Sequence, residues 1–315
     1  MLGAIIGDMV GSIYEFKPIK KKEFNIYDKN MRMTDDSYLT LAVAKVLMKH
    51  YPIKYDEQSL ENIKYDLINE FVNTWKEHKD AGFGGLFYDW CVKAYLGEKP
   101  KPYGSYGNGS AMRISPVGWI AQSENEVKIL SKAVTEITHN HKEGIKGAEA
   151  IAMCIYLSLH GKTKQEIKER MVKDYYPIID SLDYDDLVAN YEFCEICQKS
   201  VPQAIYCFLI SDSLEDTIRN CVGIGGDCDT TGAMAGAIAE AYYNKDKLSI
   251  LEEKYLYLKI DPEVERIIMD FHKIIGSKKF EKSMKKKYPN AHIVEYDEKT
   301  KMPILPKSEY DDWEY

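Results

Sequence analysis

Two short segments of the sequence concentrate carboxylates and hydroxyl groups away from basic residues, and each immediately precedes a stretch that favours a helix. The acidic and hydroxyl side chains of these segments are Thr34, Asp35, Asp36, Asp227, Asp229 and Thr230. Hard oxygen ligands of this kind favour Mg²⁺, Mn²⁺ or Ca²⁺ over Zn²⁺. Four carboxylates and two hydroxyls suffice for two ions, which in such sites lie roughly 3.5–4 Å apart. The residue types therefore predict a metal pair, provided that the two segments meet in the fold.

Helix capping is the alternative interpretation of both segments, because Asp and Thr side chains accept hydrogen bonds from the first N–H groups of a helix. Capping needs only one or two such residues, whereas each segment offers two carboxylates and a threonine. The helix predicted after the second segment is rich in alanine and glycine from Gly232 to Ala239. Small side chains allow close approach of neighbours, which predicts a buried central helix. Four carboxylates beside it would repel one another unless cations neutralised them.

Three further features could contribute to a site. Asp8 and Glu15 are seven residues apart, so they would share one face if that stretch were helical. The segment from Gly107 to Arg113 is a glycine-punctuated turn whose N–H groups and arginine could hold a phosphate, although Asn-Gly turns are also common without one. The spacing of His139 and His141 matches no helical pair, which favours hydrogen bonding or capping over metal ligation.

Helical patterns dominate the rest of the chain. An apolar stripe runs from Leu39 to Leu47, and a largely apolar helix is predicted from Ile145 to His160, ended by Gly161. Two capping boxes are also predicted, in the pairs Ser123 with Glu126 and Thr163 with Glu166. Alternation typical of a strand is confined to short runs, of which Glu23 to Tyr27 is the best. The sequence therefore predicts an all-α fold.

Composition narrows the functional classes. The chain has 315 residues, of which 45 % are hydrophobic and 29 % charged, enough apolar material for a sizeable core. The formal net charge of −8 argues against a general nucleic-acid binder, which needs Lys and Arg to neutralise phosphates. The six lysines between Ser277 and Lys287 are accordingly interpreted as a solvated helix face. A single domain over residues 1–290 and an acidic, aromatic tail over 291–315 are predicted.

The expected compartment follows from cysteine usage and from the apolar runs. Seven scattered cysteines, an odd number, suit a reducing environment rather than a disulfide framework. The apolar run at the N-terminus lacks basic residues and contains Asp8, so it is a poor signal peptide. The sequence contains no run of about 18 apolar residues without a charge, so no membrane span is expected. A cytoplasmic protein without membrane contact is predicted.

Taken in order, these motifs resemble those of the ADP-ribosylglycohydrolase family over about residues 1 to 245. The matching segments are Gly7-Asp8, Gly11, Glu15, Thr34-Asp35-Asp36, Gly107 to Arg113, Thr138-His139 and Gly226 to Thr230. Ser37, Cys228 and the pair Thr231-Gly232 depart from the usual pattern, but none of them removes a ligand position.

The resemblance implies a compact orthogonal multi-helix bundle with a dinuclear Mg²⁺ or Mn²⁺ centre. Its metal ligands would be Thr34, Asp35, Asp36, Asp227, Asp229 and Thr230. Its substrate-binding residues would be Gly107, Asn108, Gly109, Ser110, Met112, Arg113 and His139. Glu15 and Asp36 would act in catalysis.

The predicted reaction is hydrolysis of the bond between the anomeric carbon of ADP-ribose and an acceptor, with ADP-ribosylated proteins among the substrates. Arginine, serine, a nucleic-acid base and O-acetyl-ADP-ribose all remain open as acceptors. Two other functions fit the same residues: a different two-metal hydrolase such as a phosphoesterase, and a non-catalytic ADP-ribose-binding protein.

Overall fold

Helices make up nearly all the regular structure of the computed structural model, which describes residues 1–280 and the backbone of residues 295–296 and 303–304. The chain divides into two units, Met1–Tyr243 and Asn244–Tyr315. The first unit contains α1 (Leu2–Gly11), α2 (Asp35–Lys49), α3 (Glu57–Glu77), α4 (Gly85–Tyr95), α5 (Gly109–Met112), α6 (Ser115–Ile120), α7 (Glu124–Thr135), α8 (Lys142–Leu159), α9 (Lys164–Asp174), a 3-10 helix (Pro177–Ser181), α10 (Tyr184–Asn190), α11 (Cys197–Leu209), α12 (Leu214–Ile224) and α13 (Cys228–Tyr243).

The second unit contains α14 (Ile250–Leu258), α15 (Pro262–Ile274) and two short antiparallel strands, β1 (Glu295–Tyr296) and β2 (Pro303–Ile304). Helix α14 begins with a complete capping box formed by Ser249 and Glu252. The Glu252 carboxylate also accepts a hydrogen bond from the buried Lys279 ammonium at 2.5 Å. Each buried charge of this pair has the other as its partner, so removal of either one would leave an uncompensated buried charge.

Helices α1 and α13 form the centre of the first unit. Every residue of α1 is buried, as is α13 from Cys228 to Ala241. Glycines allow the two backbones to touch: a Cβ added to Gly7 would lie 2.0 Å from the Gly232 carbonyl oxygen, and one on Gly3 would lie 2.3 Å from that of Gly236. The predicted buried central helix is confirmed.

Most helices expected from the sequence are present. The helix predicted from Ile145 to His160 is α8, and Gly161 follows it with a φ of 74°, as a residue after a helix C-terminus often does. Thr163 and Glu166 form a complete capping box. Ser123 accepts from the Glu126 N–H as predicted, but the Glu126 carboxylate instead binds the Gln122 N–H at 2.8 Å.

One local prediction is wrong, and the condition attached to another is not met. Glu23 to Tyr27 is irregular rather than a strand, because its backbone is held by a side chain: the Arg219 guanidinium donates to the carbonyls of Lys22 and Phe24 at 3.0 and 2.9 Å. Asp8 and Glu15 do not share a helical face, because α1 ends at Gly11 and Glu15 lies in the turn beyond it.

The predicted boundaries between a domain over 1–290 and a tail over 291–315 stay a prediction, because residues 281–294 and most of the tail lie outside the described residues. The same holds for the greater part of the lysine-rich run. Among the described helices, none combines the length and the apolar stretch needed to cross a bilayer.

The contact between α1 and α13 generates a stability prediction. Gly7→Ala should lower the free energy of unfolding by about 3 kcal/mol, because the new methyl group would force two packed backbones apart. Gly85→Ala is the matched control, since a Cβ there meets no atom within 4 Å. Urea unfolding followed by circular dichroism measures both. Equal midpoints for the two variants would contradict the close helix contact.

Candidate active site

The two acidic segments lie against each other although they are almost two hundred residues apart in the chain. The Thr230 hydroxyl donates to the Asp36 carboxylate at 3.3 Å. Oxygen atoms of Glu15, Asp227 and Asp229 all lie within 4.8 Å of one another. The start of α2, the start of α13 and the turn after α1 therefore contribute to a single acidic cluster, defined here as Glu15, Asp35, Asp36, Asp227 and Asp229.

The contact between α1 and α13 places these side chains. Gly11, the last residue of α1, packs on the backbone of Asp229, where an added Cβ would lie 2.3 Å from the Asp229 Cα. The chain then turns at once, with the Tyr14 N–H bound to the Gly11 carbonyl at 2.8 Å, and so brings Glu15 to the first turn of α13. A side chain at Gly11 would push Glu15 away from the cluster.

Asp8 holds the start of α2, the remaining segment of the cluster. This role of Asp8 is not apparent from the sequence. From the middle of α1 its carboxylate accepts the Thr34 N–H at 2.9 Å, the Thr34 hydroxyl at 2.7 Å and the Ser37 N–H at 3.2 Å, as well as the Ser37 hydroxyl. Asp8 thereby caps α2 from another helix. Burial outweighs these hydrogen bonds and raises the pKa of Asp8 to about 6.

Burial and, after it, electrostatic repulsion disfavour the ionised carboxylates of the cluster. Burial, followed by the charge of Asp227, raises the pKa of Glu15 to about 7. Burial, followed by the charge of Asp8, raises the pKa of Asp35 to about 8. The same causes raise the pKa of Asp36 well above its usual value, and burial with the charge of Asp227 does so for Asp229. Each carboxylate disfavours ionisation of the others.

The donor set fits divalent cations. Oδ1 of Asp36 is buried without a hydrogen-bond partner, which is costly for a carboxylate oxygen unless a cation binds it. None of the ion pairs found within the described residues involves Asp36, Asp227 or Asp229. Carboxylate and hydroxyl oxygens are the ligands that Mg²⁺ and Mn²⁺ prefer.

The cluster lies in the wall of a cavity of about 310 Å³. The predicted site residues that line this cavity are Glu15, Thr34, Asp35, Asp36, Gly107, Asn108, Gly109, Met112, Arg113, His139, Asp227, Asp229 and Thr230. Ser110 does not line it. Its side chain is buried beneath the loop, where the hydroxyl donates to the Gly144 carbonyl at 2.9 Å and anchors the loop to α8.

The loop from Gly107 to Arg113 is joined to the cluster through Asn108. The Asn108 side-chain amide donates to the Asp227 carboxylate at 2.6 Å, and its backbone N–H donates to the Glu195 carbonyl at 2.7 Å. His139 packs beside this loop, where a Cβ on Gly109 would lie 3.3 Å from the imidazole Nε2. Burial lowers the pKa of His139 well below its usual value, so the ring is neutral and can accept or donate one hydrogen bond at each nitrogen.

Arg113 forms part of the cavity floor. The residue is 1 % exposed, and its guanidinium lies 4.6 Å from the centre of the Phe71 ring and donates to the Thr138 hydroxyl at 2.6 Å. Burial lowers its pKa to about 10, which still leaves it charged at neutral pH. The buried Nε–H of Arg113 has no hydrogen-bond partner within the chain.

Two basic residues, Lys20 and Arg219, hold the loop that follows α1 and carries Glu15. No sequence motif includes either of them. The Lys20 ammonium donates to the carbonyls of Tyr191 and Ile224 at 2.5 and 2.6 Å, and Arg219 binds the loop a few residues further on. Ile224 ends α12, three residues before Asp227. Lys20 thus ties the loop that carries Glu15 to the segment that carries Asp227. No sequence pattern marks this contact, because it joins residues 204 apart.

Comparison with known proteins agrees with this arrangement. The model of the ADP-ribosylglycohydrolase family matches residues 1–269. The chain belongs to the ADP-ribosylglycohydrolase family. The resemblance and the enzyme class predicted from the sequence are therefore confirmed, and the chain is an enzyme of the class that removes ADP-ribose.

Individual relatives are distant in sequence. Human ADP-ribosylhydrolase ARH3 is 26 % identical, over 79 % of this chain and 85 % of the relative. The ADP-ribosyl-[dinitrogen reductase] glycohydrolase of Rhodospirillum rubrum is 23 % identical, over 84 % and 91 %. The ADP-ribosylarginine hydrolase Tri1 of Pseudomonas putida (strain GB-1) is 24 % identical, over 77 % and 69 %.

The fold is shared with a solved structure titled ADP-ribosylglycohydrolase-related protein complex. The TM-score is 0.63 at 21 % sequence identity, and the match covers 87 % of this chain and 97 % of the other. The predicted ADP-ribosylglycohydrolase-like fold is thus confirmed, and the described residues are mostly helical, with β1 and β2 as short exceptions.

Repulsion in the cluster makes stability depend on pH. Because the folded chain binds a proton at Asp35 more tightly than the unfolded chain does, the contribution of Asp35 to stability is complete at acid pH and is lost as pH rises from about 4 to about 8. With a chelator present, Asp35→Asn and the wild type should unfold at similar temperatures near pH 4, and the variant at a higher temperature near pH 8.

Thermal unfolding by circular dichroism measures this difference. The exposed Asp89 on α4 provides the control Asp89→Asn, which removes a charge outside the cluster and should follow the wild type at every pH. A difference between Asp35→Asn and wild type that stays constant from pH 4 to pH 8 would contradict the raised pKa of Asp35.

Proposed function

We propose that this enzyme is a divalent-metal-dependent hydrolase that releases ADP-ribose from an ADP-ribosylated acceptor by attack of water at the anomeric carbon. The observation that carries the proposal is the acidic cluster in the wall of the cavity, with the buried, unpartnered Oδ1 of Asp36 inside it. Family membership supports the release of ADP-ribose, and the donor set supports Mg²⁺ or Mn²⁺.

A pair of Mg²⁺ or Mn²⁺ ions is the proposed cofactor. The residues that would hold it are Thr34, Asp35, Asp36, Asp227, Asp229 and Thr230. When bound, such ions orient the hydroxyls of a ribose and lower the pKa of a coordinated water. Neutralisation of the carboxylates would also remove the repulsion that raises their pKa values.

The loop from Gly107 to Arg113, together with His139, is proposed to bind the ADP-ribose portion of the substrate. The glycines leave room beside His139, and the buried Arg113 keeps one unused donor. Asn108 links this loop to Asp227, so binding of the nucleotide portion and position of the acidic cluster are coupled through one side chain. The anomeric carbon can thus be held at the cluster while the rest of the substrate lies along the loop.

Cleavage of a ribosyl bond passes through an oxocarbenium-like state, in which positive charge develops on the sugar ring. Carboxylates fixed beside the ring stabilise that charge without reorganising. Glu15 is half-buried with a pKa of about 7, which suits a group that takes a proton from water and returns it to the leaving group. Asp36 is the second proposed catalytic carboxylate.

Product identity separates this function from its alternatives. Free ADP-ribose as the product supports the proposal, whereas inorganic phosphate or a nucleoside monophosphate supports a phosphoesterase on the same cluster. Affinity for ADP-ribose without turnover of any ADP-ribosylated substrate supports a binding protein. The assay is a panel of ADP-ribosylated substrates incubated with Mg²⁺ or Mn²⁺ and scored by chromatography.

Removal of cluster carboxylates should abolish this activity. Asp36→Ala, Asp227→Ala and Asp229→Ala should each lower the rate of ADP-ribose release by more than about 100-fold, because fixed electrostatic stabilisation of the transition state is lost. Circular dichroism should show intact helices in each variant. Asp89→Ala is the control and should keep wild-type activity. Full activity in two of the three cluster variants would rule out the proposed centre.

Substitution of Glu15 tests proton transfer separately from binding. Glu15→Gln keeps the shape of the side chain but cannot exchange a proton, so kcat should fall by about 100- to 10,000-fold. Affinity for ADP-ribose, measured by calorimetry, should change little. Unchanged kcat would remove Glu15 from the chemistry.

A further inference from the structure

One nitrogen of the His139 imidazole lies beside the glycines of the cavity wall, and the other contacts a buried threonine. His139 lines the cavity and is 5 % exposed. Its Nε2 would be 3.3 Å from a Cβ added to Gly109 and 3.7 Å from one added to Gly107. Its Nδ1 is 2.9 Å from the Thr138 hydroxyl oxygen. The hydrogen bonds found within the described residues include none at Nε2, so this atom is available to a ligand.

A neutral imidazole carries one hydrogen, on either Nδ1 or Nε2, and its chemistry depends on which. With the hydrogen on Nδ1, the Nε2 atom beside the cavity could accept a proton. With the hydrogen on Nε2, that atom can only donate to an oxygen of a ligand. Burial and, after it, the charge of Arg113 lower the pKa of His139 well below its usual value, so the charged form with both hydrogens is disfavoured.

The Thr138 hydroxyl selects between these two tautomers, because it has a single hydrogen to donate. Its oxygen accepts a hydrogen bond from the Arg113 guanidinium at 2.6 Å, since a guanidinium only donates. Two acceptors within hydrogen-bonding distance compete for the hydroxyl hydrogen. They are the Thr135 carbonyl oxygen at 3.3 Å and Nδ1 of His139 at 2.9 Å.

The Thr135 carbonyl is the weaker competitor. It already accepts two backbone hydrogen bonds, from the Thr138 N–H at 3.2 Å and the His139 N–H at 2.9 Å, which use both of its lone pairs. It is also the more distant of the two acceptors. The hydroxyl hydrogen is therefore donated to Nδ1, and the charged Arg113 strengthens this bond by polarising the hydroxyl.

The Tyr103 phenol, which also interacts with the Thr138 hydroxyl, is compatible with this assignment. Burial raises the pKa of Tyr103 to about 12, so the phenol keeps its own hydrogen at neutral pH and can donate it to the threonine oxygen. A hydroxyl oxygen has two lone pairs, which suffice for Arg113 and Tyr103 together. The Tyr103 ring also meets the His139 ring edge to face, with centres 5.6 Å apart, and so restricts rotation of the imidazole.

We infer that Thr138 is a positioning residue, which fixes the neutral imidazole of His139 with its hydrogen on Nε2 as a donor to an oxygen of the bound nucleotide. The identity of that ligand rests on the proposed function, whereas the tautomer is a property of the chain without ligand. His139 then cannot take a proton from water, because Nδ1 is occupied by Thr138 and Nε2 already carries a hydrogen. Proton transfer is accordingly assigned to the carboxylates of the acidic cluster.

Nitrogen-15 NMR of protein labelled at histidine tests the tautomer directly, because a bare ring nitrogen and one that carries hydrogen have separate chemical shifts. The His139 signals are identified by their loss in His139→Gln. At neutral pH and without ligand, the wild type should show hydrogen on Nε2 and a bare Nδ1. Thr138→Val replaces the hydroxyl with a methyl group of similar size and should give averaged shifts at both nitrogens, as two exchanging tautomers produce.

Two variants are matched controls. Thr138→Ser keeps the hydroxyl and should keep the wild-type tautomer. Thr135→Val removes a neighbouring buried hydroxyl that makes no hydrogen bond within the described chain, and it should also keep the tautomer. Calorimetry with ADP-ribose should show roughly tenfold weaker affinity for Thr138→Val than for both controls, as loss of one well-placed hydrogen bond implies.

Hydrogen on Nδ1 in the wild type, or on both nitrogens, would overturn the inference, as would an unchanged tautomer in Thr138→Val. Equal ADP-ribose affinity in Thr138→Val and Thr138→Ser would overturn the donor role of Nε2. If Thr138→Val does not fold, the wild-type spectrum still decides the tautomer and Thr138→Ala tests the hydroxyl. Absence of ADP-ribose binding to a wild type with the expected spectrum would instead contradict the proposed function.

Discussion

The collection of five carboxylates in a largely buried site is the constraint on which the rest of this structure depends. The carboxylates that line one cavity are Glu15, Asp35, Asp36, Asp227 and Asp229. Burial raises the pKa of each, and neighbouring charges raise it further for all of them except Asp227. A fold tolerates such an arrangement only where something offsets its cost. Divalent cations would offset it directly, and in the proposed function they would also supply a coordinated water of lowered pKa.

The contact between α1 and α13 holds these charges in place. Glycines on both helices bring the backbones into contact, and Gly11 sets the turn that presents Glu15 to the start of α13. Asp8 extends the same support to α2 by accepting hydrogen bonds from Thr34 and Ser37. Helix α1 therefore positions both the turn that carries Glu15 and the start of α2. No residue of α1 itself belongs to the cluster.

Much of this arrangement could be predicted from local sequence. The two acidic segments, the small-residue helix after the second one and several capping residues all have patterns that the fold retains. Contacts between distant residues could not be predicted. The role of Asp8 depends on where α2 docks, and the attachment of Lys20 to Ile224 joins residues 204 apart. The false strand at Glu23 to Tyr27 has the same origin, since Arg219 satisfies carbonyls that alternation alone would assign to a sheet.

The most direct test of the account is a calorimetric titration of chelator-treated protein with Mn²⁺ and, separately, with Mg²⁺. Saturable binding of two ions per chain to the wild type, abolished or reduced to one ion by Asp36→Ala and by Asp229→Ala, is the predicted result. Absence of binding to the folded wild type, or equal binding by the wild type and both variants, would contradict the claim that this cluster holds the metal pair.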